Sequence, residues 1–372
     1  MEDLKKSDIQ SIKEKAYFLR YKAIEDIEKN LLQLENKLNS NNIAVKWAYN
    51  EESLYNNILE FLPNSSHNKV CLDIPNSFSL FSQDDDVVSL YSLSDVENKE
   101  VSADTLIISS DFAVCENGSL IFINRDSKNC FNLVSNIVVI VNIDKIIVNN
   151  EDLSFILSLK NKDKEYCSFP SDLKIIQKPF KKIIADTFQT SESLGFSEEP
   201  VNVSVIFYEN NIEQLIENDT LVQSLYCIDC GRCKDVCEAS KYFNSISPIE
   251  LIKKSYQEIY NKNNPVFKYS TLCGNCQCVC PVNIPLTDLI IYEMQLSKDN
   301  YKDSNSKRLY NLFSKRSKLN KANKPFFRFF LLNWLFGKNR LLYNYFNSIK
   351  VQFFNIENTL DSTHDDSAND LF

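Results

Sequence analysis

Histidine is nearly missing from this chain: His67 and His364 are the only two in 372 residues. That all but excludes zinc enzymes of the two- or three-histidine type and argues against a histidine base relay. Glycine is scarce as well. Gly118, Gly195, Gly231, Gly274 and Gly337 leave no G-x-G-x-x-G and no P-loop, so nucleotide cradles of those types are absent. Met1 to Ala23 mixes charges with isolated apolar residues and offers no secretory core. No uncharged apolar run reaches the roughly 18 to 20 residues that a membrane span requires. The expected location is the cytoplasm. A formal charge of -9 argues against nucleic acid as the main partner. What remains is ample: 44% hydrophobic and 12% aromatic content can bury a large core in two or three domains.

Of the 12 cysteines, eight fall in two groups: Cys227, Cys230, Cys233 and Cys237, then Cys273, Cys276, Cys278 and Cys280. Thiols at such gaps in a non-secreted chain read as metal ligands, not disulfides. The first group has the ferredoxin spacing, in which three thiolates close round one [4Fe-4S] cubane and the fourth reaches a second. The second group supplies the partner run, with Pro281 after Cys280. Two iron–sulfur clusters are expected. Cys227, Cys230, Cys233 and Cys280 would hold the first. Cys237 would cross over to join Cys273 and Cys276 on the second.

The second run is one thiol short, because Ser270 stands where its first cysteine would be. Ligation by Ser270, a [3Fe-4S] cluster or a water-bound iron are the open outcomes. Cys278 could substitute only through a strained loop and is expected to be free. Zinc is the competing occupant, since two Cys-x2-Cys pairs can make a four-cysteine site, but a zinc ribbon has no use for Cys233 and Cys237. Cys71, Cys115, Cys130 and Cys167 are scattered and read as buried apolar thiols.

Upstream, apolar residues at three- and four-residue steps from Asp8 to Leu38 predict an amphipathic docking helix or helix pair. Short apolar runs then alternate with helical patterns: 43–48, 70–74, 87–93, 105–108, 120–123, 137–141, 146–148 and 203–208. This predicts an α/β sheet with 137–141 as a central strand. Helices are expected over 212–226, 248–260 and 284–296, an alpha-helical ferredoxin layout. From Ser304 to Ile356 no acidic residue occurs, whereas lysines and arginines accumulate among aromatics. The expected organisation is a helical segment 1–40, an α/β domain 41–210, a two-cluster ferredoxin-type domain 211–300, a basic arm 301–356 and an acidic, disordered tail 357–372.

The segments Val203-Ser-Val-Ile-Phe-Tyr-Glu-Asn, Leu225-Tyr-Cys-Ile-Asp-Cys-Gly-Arg-Cys and Leu272-Cys-Gly-Asn-Cys-Gln-Cys-Val-Cys-Pro resemble the lactate utilisation protein B family. Asp111-Phe-Ala-Val-Cys-Glu-Asn-Gly-Ser-Leu and Asn136-Ile-Val-Val-Ile-Val-Asn-Ile-Asp-Lys resemble the LUD domain that lactate utilisation proteins B and C share. The resemblance implies a NagB/RpiA/CoA-transferase-like α/β fold for about the first two hundred residues. It further implies an electron-transfer subunit without its own dehydrogenase activity, relaying electrons in an L-lactate-oxidising complex with lactate utilisation proteins A and C. In that family the second run also has three cysteines, so seven ligands can suffice. Asn117, Ser119 and the Asp126-Ser-Lys-Asn turn depart from the family's pattern, which leaves Glu116 and Lys145 as candidate residues of the LUD pocket. An ion pair is the plainer account of both.

Two other functions compete. A LUD-domain enzyme acting on a small anionic or thioester substrate would want the family's intact threonine and arginine set. An iron–sulfur nucleic-acid-binding protein would use the basic arm and its aromatics. The arm's apolar stretch from Pro325 to Phe336 fits packing on the chain's own core, docking to a partner subunit or peripheral membrane contact, and the first two are favoured.

Overall fold

The computed structural model describes residues 6–63, 68–74, 88–91, 103–123, 131–160, 169–170, 172–185, 196–210, 212–242, 246–259 and 270–296. Cys130, Cys167, the basic arm and the acidic tail lie outside the described residues.

The predicted helical start is two helices, α1 (Lys6–Glu25) and α2 (Ile27–Ser40). Their apolar stripe of Ala16, Ile24, Ile27, Leu31, Leu34 and Leu38 is buried in this chain's own core, so the pair docks in cis. Strand β1 (Ala44–Ala48) leads to α3 (Glu51–Phe61), which starts on a capping box between Asn50 and Ser53. Next come β2 (Asn68–Asp73), β3 (Val88–Tyr91), β4 (Thr105–Ser109), β5 (Phe112–Val114), β6 (Ser119–Ile123), β7 (Asn136–Asn142) and β8 (Ile146–Ile147). Helix α4 (Asn150–Lys160), β9 (Leu173–Ile176), β10 (Phe180–Ala185) and β11 (Phe196–Tyr208) complete this part.

The expected single sheet is two. Six parallel strands run in the order β1-β11-β7-β4-β2-β3, with β10 antiparallel on β11. The runs at 120–123 and 146–148 belong instead to a four-stranded sheet, β8-β5-β6-β9. Strand β7 is central as predicted, between β11 and β4. Its side chains alternate between two cores. Ile137, Val139 and Val141 join the large core with α1 and α2, whereas Val138 and Ile140 join a second core under Leu54 and Ile58 of α3. Parallel strands need such cover on both faces, which is why their sequences read as continuous apolar runs.

After β11 the predicted helix over 212–226 is broken. A single turn, α5 (Glu213–Ile216), is followed by a 3-10 turn over Leu221–Tyr226. The Asn218 side chain accepts the N–H groups of Thr220 and Leu221 and so competes with the helical ladder. The remaining elements are short helices round the cysteines, α6 (Arg232–Asp235), α7 (Glu238–Tyr242) and α9 (Asn275–Cys278), and two longer ones, α8 (Pro248–Ile259) and α10 (Leu286–Leu296). An α/β domain followed by a helical, ferredoxin-type region is the architecture the sequence predicted. Among the described residues no helix is long and apolar enough to cross a membrane.

Candidate metal centre

The two cysteine groups fold as copies of one loop. Cys230-Gly231-Arg232-Cys233 and Cys273-Gly274-Asn275-Cys276 each turn through a left-handed glycine, at φ 72° and 89°, into the short helices α6 and α9. The residue before each first cysteine of these pairs, Asp229 and Leu272, also has φ 52°, a conformation that side-chain-bearing residues rarely take. At the same offset Cys237 matches Cys280, and Cys227 matches Ser270. The match extends to hydrogen bonding: Asp229 N–H donates to Cys227 Sγ at 3.3 Å, and Leu272 N–H donates to Ser270 Oγ at 3.2 Å.

Two cavities receive these residues. Cys237, Cys273, Cys276 and Ser270 line a small, partly open one, walled by Ala239, Ile246, Pro248, Leu251 and Ile290. Cys227, Cys230, Cys233 and Cys280 line a cleft of about 870 Å³, which also takes in Ser109 and Asn142 at the carboxyl ends of β4 and β7. Cys278 lines neither and is exposed, and its carbonyl accepts a hydrogen bond from Lys13 Nζ at 2.6 Å. Elsewhere, Cys71 and Cys115 are buried as expected of apolar thiols.

Buried thiols without a metal are hard to ionise. Burial pushes the thiols of Cys233 and Cys276 up to about 12, and it raises those of Cys227, Cys230 and Cys280 as well. Such a donor set suits a soft, highly charged metal centre that displaces the protons. Among the described residues no three His, Cys, Asp or Glu side chains converge to hold one ion. A cubane asks for the wider spread round a cavity, because each thiolate binds a different iron. Polar groups are already turned towards the sulfurs. Ile284 N–H donates to Cys280 Sγ at 3.4 Å. The buried Thr287 hydroxyl, without an oxygen or nitrogen partner, lies beside Cys276 and works to lower its pKa. The residues present therefore fit iron–sulfur clusters.

Behind the first cysteine sits a charge network that runs from buried Lys145 and Asp144 out to the exposed Asp229. Lys145 Nζ donates to the Cys227 carbonyl at 2.9 Å and pairs with Asp229 at 2.7 Å and Asp144 at 3.4 Å. Lys253 Nζ on α8 reaches Asp144 at 2.5 Å. Burial works against the Lys145 charge, but Asp144 and Asp229 outweigh it and hold the ammonium above its ordinary range. Burial likewise acts to raise Asp144, and Lys145 and Lys253 reverse it, leaving the carboxyl below its ordinary value. Lys145 lines the cleft, with its charge already engaged. Glu116, the other candidate pocket residue, is not among the cleft's lining residues. It accepts hydrogen bonds from the backbone and side-chain amides of Asn150 at the start of α4.

Sequence reasoning missed Arg20. Its guanidinium is fully buried in the middle of α1 and donates to the carbonyls of Tyr226 and Leu225, at 3.3 and 3.1 Å, and to those of Asp144 and Ile146. It thereby ties α1 to the residues just before Cys227 and to the Lys145 turn. One signal was readable: Arg20 falls on the apolar stripe, four residues after Ala16 and three before Ala23.

A family model described as a 4Fe-4S dicluster domain matches residues 223–284. Lactate utilization protein B of Shouchella clausii is 22% identical over 213 residues, 55% of this chain and 42% of that protein. Lactate utilization protein B of Bacillus cereus is 24% identical over 212 residues, covering 54% and 41%. The chain thus spans about two-fifths of the length of these curated relatives. The crystal structure of a DUF162 family protein from Deinococcus radiodurans aligns with a TM-score of 0.31 and 14% identity, over 49% of this chain and 98% of that one.

Proposed function

We propose that this chain is a cytoplasmic iron–sulfur electron-transfer subunit of an L-lactate-oxidising complex, with a LUD-type α/β domain carrying two clusters. The observation that supports this most is the duplicated loop, whose cysteines divide between two neighbouring cavities. Cys227, Cys230, Cys233 and Cys280 would hold the first cluster, and Cys237, Cys273 and Cys276 the second. Bound there, each cluster supplies one-electron chemistry. The chain's own residues then do the rest. Apolar side chains wall part of the second site, N–H groups from Asp229 and Ile284 soften the sulfur charge, and Lys145 places a cation behind Cys227. By resemblance, the partners are lactate utilisation proteins A and C.

The test is anaerobic reconstitution of the purified chain. About 7 to 8 iron atoms per chain and a dithionite-reducible EPR signal are expected. A chain that takes up neither iron nor a reducible signal overturns the reading.

The cleft supports a second reading, a LUD-domain enzyme, because α/β sheets take ligands at the carboxyl ends of their strands. Its charge weighs against a small anionic substrate. Glu51, Glu209 and Glu250 line it, while Lys145 and Lys253 are paired with Asp144. Equilibrium dialysis of the reconstituted chain against lactate and an acyl thioester distinguishes the two, since saturable binding of either favours the enzyme.

A further inference from the structure

We infer that Ser270 is the fourth ligand of the second cluster, binding one iron through its side-chain oxygen. The inference rests on the two-cluster reading above and concerns the one corner of that site for which no thiol is at hand. Three of the four donors that a cubane needs line the smaller cavity as Cys237, Cys273 and Cys276, and Ser270 lines the same cavity. Its placement is not accidental to the loop. Ser270 occupies the position that Cys227 holds in the first copy, two residues before a left-handed Leu272 that matches Asp229, and it accepts the equivalent backbone N–H. The backbone therefore has the geometry of a ligand position, with oxygen where the first loop carries sulfur.

The alternatives have less to stand on. Cys278 is exposed on α9 and lies on neither cavity. A bound solvent molecule would have to be kept in a cavity walled by Ala239, Ile246, Pro248, Leu251 and Ile290, against which Ser270 is already placed. Ligation forms an Fe–O bond as the hydroxyl proton passes to solvent, with no change in oxidation state. The Leu272 N–H, at 3.2 Å, is placed to carry part of the resulting alkoxide charge. A serine alkoxide is far more basic than a thiolate and more easily reprotonated and displaced, so this iron is the one that the cluster should surrender first.

The experiment uses the full chain reconstituted anaerobically with iron and sulfide, as wild type, Ser270→Ala and Ser270→Cys. Iron and sulfide are counted, and Mössbauer and EPR spectra are recorded. The wild type should hold two four-iron clusters, with one iron distinct from the thiolate-bound ones. Ser270→Ala should lose about one iron per chain and, after one-electron oxidation by added ferricyanide, show the near-isotropic EPR signal of an oxidised [3Fe-4S] cluster. Ser270→Cys should keep all its iron, lose the distinct Mössbauer component and resist air oxidation longer than the wild type. Two results overturn the inference while leaving the two-cluster reading intact: Ser270→Ala with wild-type iron content and spectra, or a [3Fe-4S] signal already present in anaerobic wild type. A wild type that binds no iron overturns the two-cluster reading itself.

Discussion

Cys278→Ser should leave iron content and both EPR signals unchanged, whereas Cys276→Ser should abolish the signal of the second cluster. The contrast follows from placement: one thiol is exposed on α9 and the other is buried on the cavity wall. Charge near the first cluster should be as legible in its potential. Reduction adds negative charge, so Asp229→Asn, which removes a carboxylate two residues from Cys227, should raise that potential. Lys145→Met should lower it, and EPR-monitored redox titration reads both with the second cluster as internal control. Shifts of the same sign would mean that the two residues act through packing alone. At this scale the sequence was an uneven guide. Cysteine spacing and the Ser270 gap could be seen because thiol positions in such loops follow local backbone geometry. Arg20, the cleft neighbours of Lys145 and the capping role of Glu116 depend on contacts between residues far apart in sequence, which spacing does not encode.

Among the elements, strands β4 and β7 were readable because both of their faces are buried and their central residues are an unbroken apolar run. Strands β9 and β10 were not: they lie at sheet margins, and lysines interrupt them at Lys174, Lys181 and Lys182. The break after α5 was hidden in Asn218, whose side chain could have faced solvent as easily as it turned back to the main chain. Two substitutions probe how these elements are held. Phe207 is fully buried on β11 and packs edge-to-face on Trp47, ring centroids 4.9 Å apart. Phe207→Ala should cost about 3 to 5 kcal/mol in urea unfolding of the α/β part. Arg20→Leu strips four backbone carbonyls of their donor and should cost at least about 3 kcal/mol. Its signature in hydrogen exchange should be faster exchange in α1 and in residues 221–226 together.

For the whole molecule, the large core runs without a break from α1 and the strands into the cysteine loops, where Cys227, Cys230, Cys233, Cys276 and Cys280 are counted among its buried members. Metal removal should therefore be felt beyond the loops. Chelation of iron should expose residues 221–296 to limited proteolysis first and should loosen α1, while the β11-β7-β4 centre of the sheet stays protected. The same continuity has a consequence in time. Arg20 and its acceptor Tyr226 are separated by 206 positions, and a ribosome adding about 5 to 20 residues per second needs roughly 10 to 40 s to pass from one to the other. For that interval the guanidinium of the nascent α1 has at most the carbonyls of Asp144 and Ile146 to receive it, and its acceptors at Leu225 and Tyr226 come last. The helix that emerges early is thus fully seated only as Cys227 itself is made, so the back wall and the first ligand of that site are completed together.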